Sequence, residues 1–188
     1  MNLIIFGPPG AGKGTQADYI VQKYNLYQLS TGEVLRNEIR NKTQLGKEIS
    51  SIINSGSLVS DDIVKQLVEI FISDEKYKNR LIFDGYPRNL SQAETLGKLL
   101  SKYGQRIDLV LQLSVSLDTI KKRILERKTL EKRDDDTEEI AVKRFKTYEK
   151  STEPVIEYYK KLNLLKVVDG ERSIDQINKE ISDIIALI

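Results

Sequence analysis

The 188-residue chain contains no cysteine and no histidine. Without cysteine there is no disulfide staple and no thiolate metal centre, and nothing argues for an oxidising compartment. Without histidine the commonest metal ligand is gone, as is the side chain most used for proton transfer near neutral pH. Hydrolytic triads built on histidine are excluded. Chemistry here must run on lysine, arginine, carboxylates, hydroxyls and backbone. Glycine (11) and proline (4) are sparse, while hydrophobic residues reach 39% and charged residues 31%. That balance is too apolar for a disordered chain and too varied for a fibrous or repeat protein. The opening Met1-Asn2-Leu3-Ile4-Ile5-Phe6 has no basic segment and stops at Gly7-Pro8-Pro9. It reads as neither a secretion signal nor a membrane span. The expectation is a soluble, cytoplasmic single domain, long enough to bury a core unaided.

A dominant charge sign is also missing, since 30 Lys and Arg face 28 Asp and Glu. Residues 121–150 concentrate 11 of the cations, interleaved with 8 acids. A protein that grips duplex nucleic acid shows a stronger excess of one sign, so no nucleic-acid partner is expected. The nine tyrosines, Tyr158 and Tyr159 among them, are not interleaved with basic residues as a base-stacking platform requires, and read as packing groups.

What is present is an alternation. Leu3–Phe6, Leu81–Phe83, Leu109–Leu113 and Leu164–Val168 are short apolar runs that read as buried strands, with Tyr27–Leu29 a weaker fifth. Helical spacing fills the intervals. Ala17, Ile20, Val21 and Tyr24 share one face; so do Ala141, Phe145, Tyr148, Thr152, Val155 and Tyr159; so do Ile174, Ile177, Ile181, Ile184 and Ile188. Strands separated by helices make an α/β fold with a parallel sheet covered on both faces. From Ser30 to Ser73 only helix patterns occur, which predicts a helical insertion, opened by a Ser30-Thr31-Gly32-Glu33 capping box.

The strongest motif is Gly7-Pro8-Pro9-Gly10-Ala11-Gly12-Lys13-Gly14-Thr15, between a strand and a helix. Glycines let backbone N–H groups converge on phosphate oxygens, the helix N-terminus adds its dipole, and Lys13 brings a point charge. Gly14 takes the position where a Ser or Thr usually ligates Mg2+. A cation would then be held by phosphates and waters more than by a hydroxyl, which suits an ion that dehydrates reluctantly. Asp84 ends an apolar strand, where its carboxylate can hold a water of that ion. Gly85-Tyr86-Pro87-Arg88 follows it, and Tyr86–Pro87 is a candidate cis bond. Arg36 and Arg88 offer planar forks suited to gripping a phosphate directionally. Arg123 and Arg127, at i and i+4, project from one side of a helix. On charge pattern alone they would be a solvated face pairing with Asp134–Asp136, Glu138 and Glu139.

The loop's Gly-x-Pro-Gly-x-Gly-Lys-Gly-Thr form resembles that of adenylate kinases and their nucleoside monophosphate kinase relatives. Four more segments carry the same resemblance in order: Ser30–Arg36, Gly56–Val59, Phe83–Arg88 with Gln92, and Arg123 through Arg144. The resemblance implies a P-loop NTPase-type five-stranded parallel sheet with helices on both faces. It divides the single domain into a core of 1–29, 74–127 and 137–188, a helical monophosphate-binding insertion at 30–73 and a lid at 128–136. It implies that ATP meets Gly10, Ala11, Gly12, Lys13, Gly14, Thr15, Arg123, Arg127 and Arg172. AMP is implied at Thr31, Arg36, Ser57, Leu58, Val59, Gly85, Arg88, Gln92, Arg133 and Arg144. Lys13, Arg88, Arg123, Arg127, Arg133 and Arg144 are the implied catalytic cations, and Asp84 the implied Mg2+ partner through water. Only five residues separate Arg127 from Arg133, so the lid resembles the short form, and a four-cysteine zinc lid is impossible.

The function expected is transfer of a phosphoryl group from Mg2+-bound ATP to AMP, giving two ADP, by a monomer free of membranes. Within the same fold the alternative is a UMP/CMP kinase. A nucleotide-controlled switch would want Ser or Thr at position 14 and leaves Asp84–Arg88 unexplained. A nucleic-acid-binding ATPase would want the missing basic excess.

Overall fold

Each of the five apolar runs becomes a strand in the computed structural model, which describes residues 1–131 and 137–188, with the backbone alone for 128–131. The strands are β1 (Leu3–Phe6), β2 (Tyr27–Ser30), β3 (Leu81–Asp84), β4 (Leu109–Ser114) and β5 (Leu165–Asp169). They form one sheet in the order β2-β3-β1-β4-β5, and every pairing is parallel. Between them run α1 (Lys13–Tyr24), α2 (Thr31–Arg40), α3 (Gln44–Asn54), α4 (Asp61–Ser73), α5 (Leu90–Lys102), α6 (Leu117–Glu131), α7 (Glu138–Lys161) and α8 (Ile174–Ile185).

Strand periodicity divides the core in two. Leu3, Ile5, Ile82, Leu109 and Leu111 point to one face, against Ala17 and Ile20 of α1 and Ile177 and Ile181 of α8. Ile4, Phe6, Leu81, Phe83 and Val110 point to the other, against Leu96 and Leu100 of α5 and Val155 and Tyr159 of α7. Burial on both faces is why β1 and β3 read as continuous apolar runs and not as alternating ones. Leu35, Ile49 and Val68, from α2, α3 and α4, join the second cluster, so that the three consecutive helices pack onto the sheet's own core.

Two expectations need correction. Ser30 caps α2 without a side-chain hydrogen bond, so there is no capping box. Ser30 is still extended and paired in register with Asp84, and the helix start is anchored instead by Thr31, whose hydroxyl donates to the Gly85 carbonyl at 3.0 Å. The buried stripe of α8 is Ile177, Ile181 and Ile185, while Ile174 and Ile188 stand exposed. Ile174 and Ile188 sit at or beyond the helix ends, past the reach of the sheet. The capping box that does form is at α8, where Ser173 and Gln176 bond reciprocally.

The chain leaves β1, builds the β2–β3 side of the sheet, then crosses to β4 and β5 on the other. Such a reversal opens a crevice outside the carboxyl ends of the strands, the usual place for a ligand in this class of sheet. Among the described residues, no helix is long and apolar enough to cross a membrane.

Candidate active site

β1 ends at Phe6 and the chain turns through Gly7–Gly12 directly into α1. Gly10 and Gly12 have φ of 82° and 93°, a left-handed backbone that only glycine adopts freely. At Gly10 there is also no room, since a Cβ would lie 3.1 Å from the Ile124 side chain and 3.3 Å from the Ile120 carbonyl. The loop is thereby seated on α6. Lys13 folds back over it and donates to the carbonyls of Gly7 and Pro8 at 2.9 and 3.0 Å. An ammonium has three donors, so one remains for a ligand.

β3 brings Asp84 beside this loop. It is 9% exposed and accepts a 3.0 Å bond from Gln28 on β2. Burial is the largest influence on Lys13 and pulls its ammonium from the ordinary 10.5 to about 8; Asp84 pulls back upward, and Arg88, Arg127 and Arg144 add to the lowering. Burial lowers Arg88 too, with Asp84 opposing and Arg144 reinforcing. Lys13 of α1 therefore feels the Asp84 carboxylate and three arginines, from the β3–α5 turn, α6 and α7. Cations held together in a partly desolvated crevice make a strong local field for a polyanion.

After Asp84 the chain passes Gly85 and the cis Tyr86–Pro87 bond to Arg88. The guanidinium of Arg88 donates from Nε to the Gly85 carbonyl at 2.7 Å, which fixes its fork. A Cβ on Gly32 would lie 3.3 Å from Arg36 and 3.7 Å from Arg88, so both forks converge on the start of α2. Gln92 follows on α5 and is 4% exposed. Its side-chain oxygen accepts from the Arg88 backbone N–H at 2.7 Å, and its Nε2 donates to Asp61 at 2.7 Å.

The turn between α3 and α4 puts Val59 in the core, Leu58 half-buried and Ser57 exposed. Gly56 packs on Ile140 and Arg144 of α7, where a Cβ would meet them at 3.3 and 3.4 Å, so this turn touches the helix that carries Arg144.

Two expected residues spend their guanidinium groups on protein partners. Arg123 donates to the carbonyls of Ala11 and Gly170, at 3.3 and 2.9 Å, and so ties the phosphate loop to the turn after β5. Arg172, in that turn, pairs with Glu180 and Asp169. Arg133 lies outside the described residues, as does most of 128–136. Gly14 and Thr15 are exposed at the start of α1. Sequence reasoning missed Gln28, Asp61 and Thr152, the last of which donates to the Arg88 carbonyl at 3.1 Å. All three act on residues distant in sequence, and no local pattern marks them.

Among the described residues, no three or more Asp and Glu gather as a metal cage. A single carboxylate at a strand end beside a phosphate loop fits an oxygen-loving ion that arrives on its nucleotide and keeps its waters.

Residues 5–164 match the family model described as Adenylate kinase. The chain is similar to three curated proteins named adenylate kinase. That of Pelagibacter ubique is 44% identical over 98% of this chain and 99% of its own length. That of Fusobacterium nucleatum is 40% identical over 98% of each chain. That of Fervidobacterium nodosum is 37% identical over 98% of this chain and 97% of its own. The Pelagibacter alignment runs over 211 positions, so that relative carries residues with no counterpart in these 188. Identity of this degree, sustained over nearly the whole chain together with the family match, means that the chain belongs to the adenylate kinase family.

Proposed function

We propose the following division of labour for the transfer of a phosphoryl group from ATP to AMP, giving two ADP, which is the reaction of this family. The loop Gly10–Thr15 holds the ATP phosphates through its backbone N–H groups, with Lys13 offering its remaining donor. Asp84, kept in place by Gln28, would receive a water of the Mg2+ that comes with ATP, and that ion would supply charge neutralisation. Arg88 and Arg36 grip the AMP phosphate, with Thr31 and Gly85 shaping that side. Ser57, Leu58 and Val59 close over the acceptor base, and Gln92 reads it.

Arg127 and Arg144 stand between the two polyanions, and Arg133 joins them from 128–136 acting as a short lid. Arg123 acts partly through the loop it tethers, and Arg172 partly through the turn it braces. Residues 30–73 form the monophosphate-binding unit on a core of 1–29, 74–127 and 137–188. Phosphoryl transfer is mostly positioning and electrostatic stabilisation, so a chain without histidine loses nothing.

The observation that carries this reading is the placement of Asp84 and Arg88 after β3, next to the glycine loop over which Lys13 folds, with Arg36 and Arg88 converging on the start of α2. The test is a coupled assay for ADP formed from ATP and AMP with Mg2+. ADP formed in the ratio of two per ATP consumed supports it; ATP consumption without AMP dependence overturns it.

A further inference from the structure

Gln92 is held at four points. Its backbone N–H donates to Asn89 Oδ1 at 2.8 Å, and its backbone carbonyl accepts from the buried Tyr86 hydroxyl at 3.2 Å. Its amide oxygen accepts from the Arg88 N–H, and its amide nitrogen donates to Asp61. Asp61 is the first residue of α4 and also accepts from Asn89 Nδ2 at 3.0 Å. The backbone N–H of Arg88 can only donate, and an ionised carboxylate can only accept. Flanked by one of each, the Gln92 amide has one orientation. Turned over, it would set N–H against N–H on one side and oxygen against oxygen on the other.

We propose that Asp61 is a positioning residue for acceptor specificity: acting through Gln92, it fixes the polarity of the amide that discriminates a 6-amino from a 6-oxo purine monophosphate. This rests on the reading that Gln92 faces the acceptor base. The amide keeps one N–H and one lone pair after its protein bonds are made. Adenine presents an amino donor at C6 beside an acceptor ring nitrogen. Hypoxanthine presents the reverse, a carbonyl acceptor beside a ring N–H. A free amide could serve either by turning over. A clamped one serves adenine and leaves hypoxanthine with mismatched groups, which is the situation in which hydrogen-bonding sites discriminate strongly. Asp61 stands 31 residues from Gln92 in the sequence and on a different helix, so it also sets the base-reading group by reference to α4.

The experiment compares kcat/KM for AMP and IMP, and their calorimetric Kd values, in Asp61→Ala, Asp61→Asn and Gln92→Leu. A ratio of two substrates is insensitive to the fraction of enzyme folded, and Asp61→Ser provides a second truncation. Asp61→Ala should narrow the AMP preference at least about tenfold, mainly through KM and Kd. Asp61→Asn keeps an acceptor for Gln92 Nε2 and should restore most of the preference. A role through charge alone would make Asn as harmful as Ala. A merely structural role would lower melting temperature and both substrates equally; either result overturns the proposal. If Gln92→Leu collapses the ratio while Asp61→Ala leaves it alone, the inference about Asp61 falls and the reading of Gln92 stands. If Gln92→Leu leaves the ratio unchanged, the base-reading role falls and takes the inference with it.

Discussion

The hydroxyl of Thr152 donates to the backbone carbonyl of Arg88 at 3.1 Å, and so binds the middle of α7 to the turn that follows β3. Thr152 is buried, and the same helix carries Arg144 two turns earlier. Arg88 and Arg144 belong to different parts of the chain but share one rigid support. Thr152→Val removes the donor at nearly constant shape and leaves the Arg88 carbonyl without this partner. The expected cost is about 1–2 kcal/mol in denaturant unfolding, with a KM for AMP raised several-fold and a smaller change in kcat. An unchanged unfolding midpoint would show that the carbonyl finds water instead.

Lys13→Ala and Arg88→Ala should each lower the rate of phosphoryl transfer at least about a hundredfold, the scale of losing one preorganised charge contact to a transition state. Neither side chain contributes to an apolar cluster, so circular dichroism and melting should stay near those of the unmodified protein. Near-normal turnover in a normally folded variant would remove that residue from the mechanism.

The depressed Lys13 ammonium sets a pH dependence. The folded protein gives up this proton near pH 8, the unfolded chain near 10.5. Between these values the unfolded state binds more protons, so this group's contribution to stability rises with pH across that window and is least favourable below it. Activity runs the other way. As pH passes 8 the free enzyme loses the charge that attracts phosphate, and kcat/KM for ATP should decline. Bound phosphates favour the ammonium, so kcat at saturating nucleotide should hold to higher pH. Matching declines in kcat and kcat/KM would show that phosphate does not meet Lys13.

The phosphate loop, the five strands and the order of the helices were legible in the sequence because each rests on local pattern: an apolar run, a helical stripe, a glycine-lysine turn. Tyr27–Leu29 reads weakly because it lies at a sheet edge where only Leu29 is fully buried, yet the strand forms as Tyr27–Ser30. The capping box at Ser30 reads well and fails: the Ser30 side chain makes no cap bond, and Thr31 anchors the helix start to Gly85 instead. The stripe of α8 reads too long at both ends, since isoleucine spacing says nothing about where the sheet stops. Asp84, Arg88 and Gln92 were legible as candidates, but what holds them was not. Gln28, Thr152 and Asp61 reach them across 56, 64 and 31 residues, and only the folded chain brings them together.

The proposed roles of Arg127 and Arg144 require 30–73 and the expected lid at 128–136 to close over the phosphates, shutting out water that would otherwise take the phosphoryl group. Gly56 of the insertion already packs on Arg144 of α7, the helix that follows 128–136. A bisubstrate mimic joining two adenosines through phosphates should therefore slow amide hydrogen exchange in both segments. Equal exchange with and without saturating mimic would rule out closure.

The base of the acceptor remains the sharpest discriminant within this fold. Gln92 lies four residues beyond Arg88, in the first turn of α5, and the two are bonded through the Arg88 N–H, so the amide proposed to read the base is placed relative to the proposed phosphate grip. Its remaining N–H and lone pair can pair with a ring nitrogen and an amino group side by side. Cytosine offers such a pair as well, but on a single ring held by the same phosphate anchor. Its edge therefore falls short of an amide positioned for a purine. Uracil offers a carbonyl and a ring N–H, the wrong polarity for the clamped amide. AMP should exceed CMP and UMP in kcat/KM by at least about a hundredfold, within the roughly ten-thousandfold that a hydrogen-bonding site can reach. UMP should be the poorer pyrimidine, because it fails on polarity as well as reach. Gln92→Leu should shrink the gap chiefly by weakening AMP, with the loss in KM more than in kcat. CMP or UMP within tenfold of AMP in the unmodified protein would overturn the assignment of Gln92 to the base.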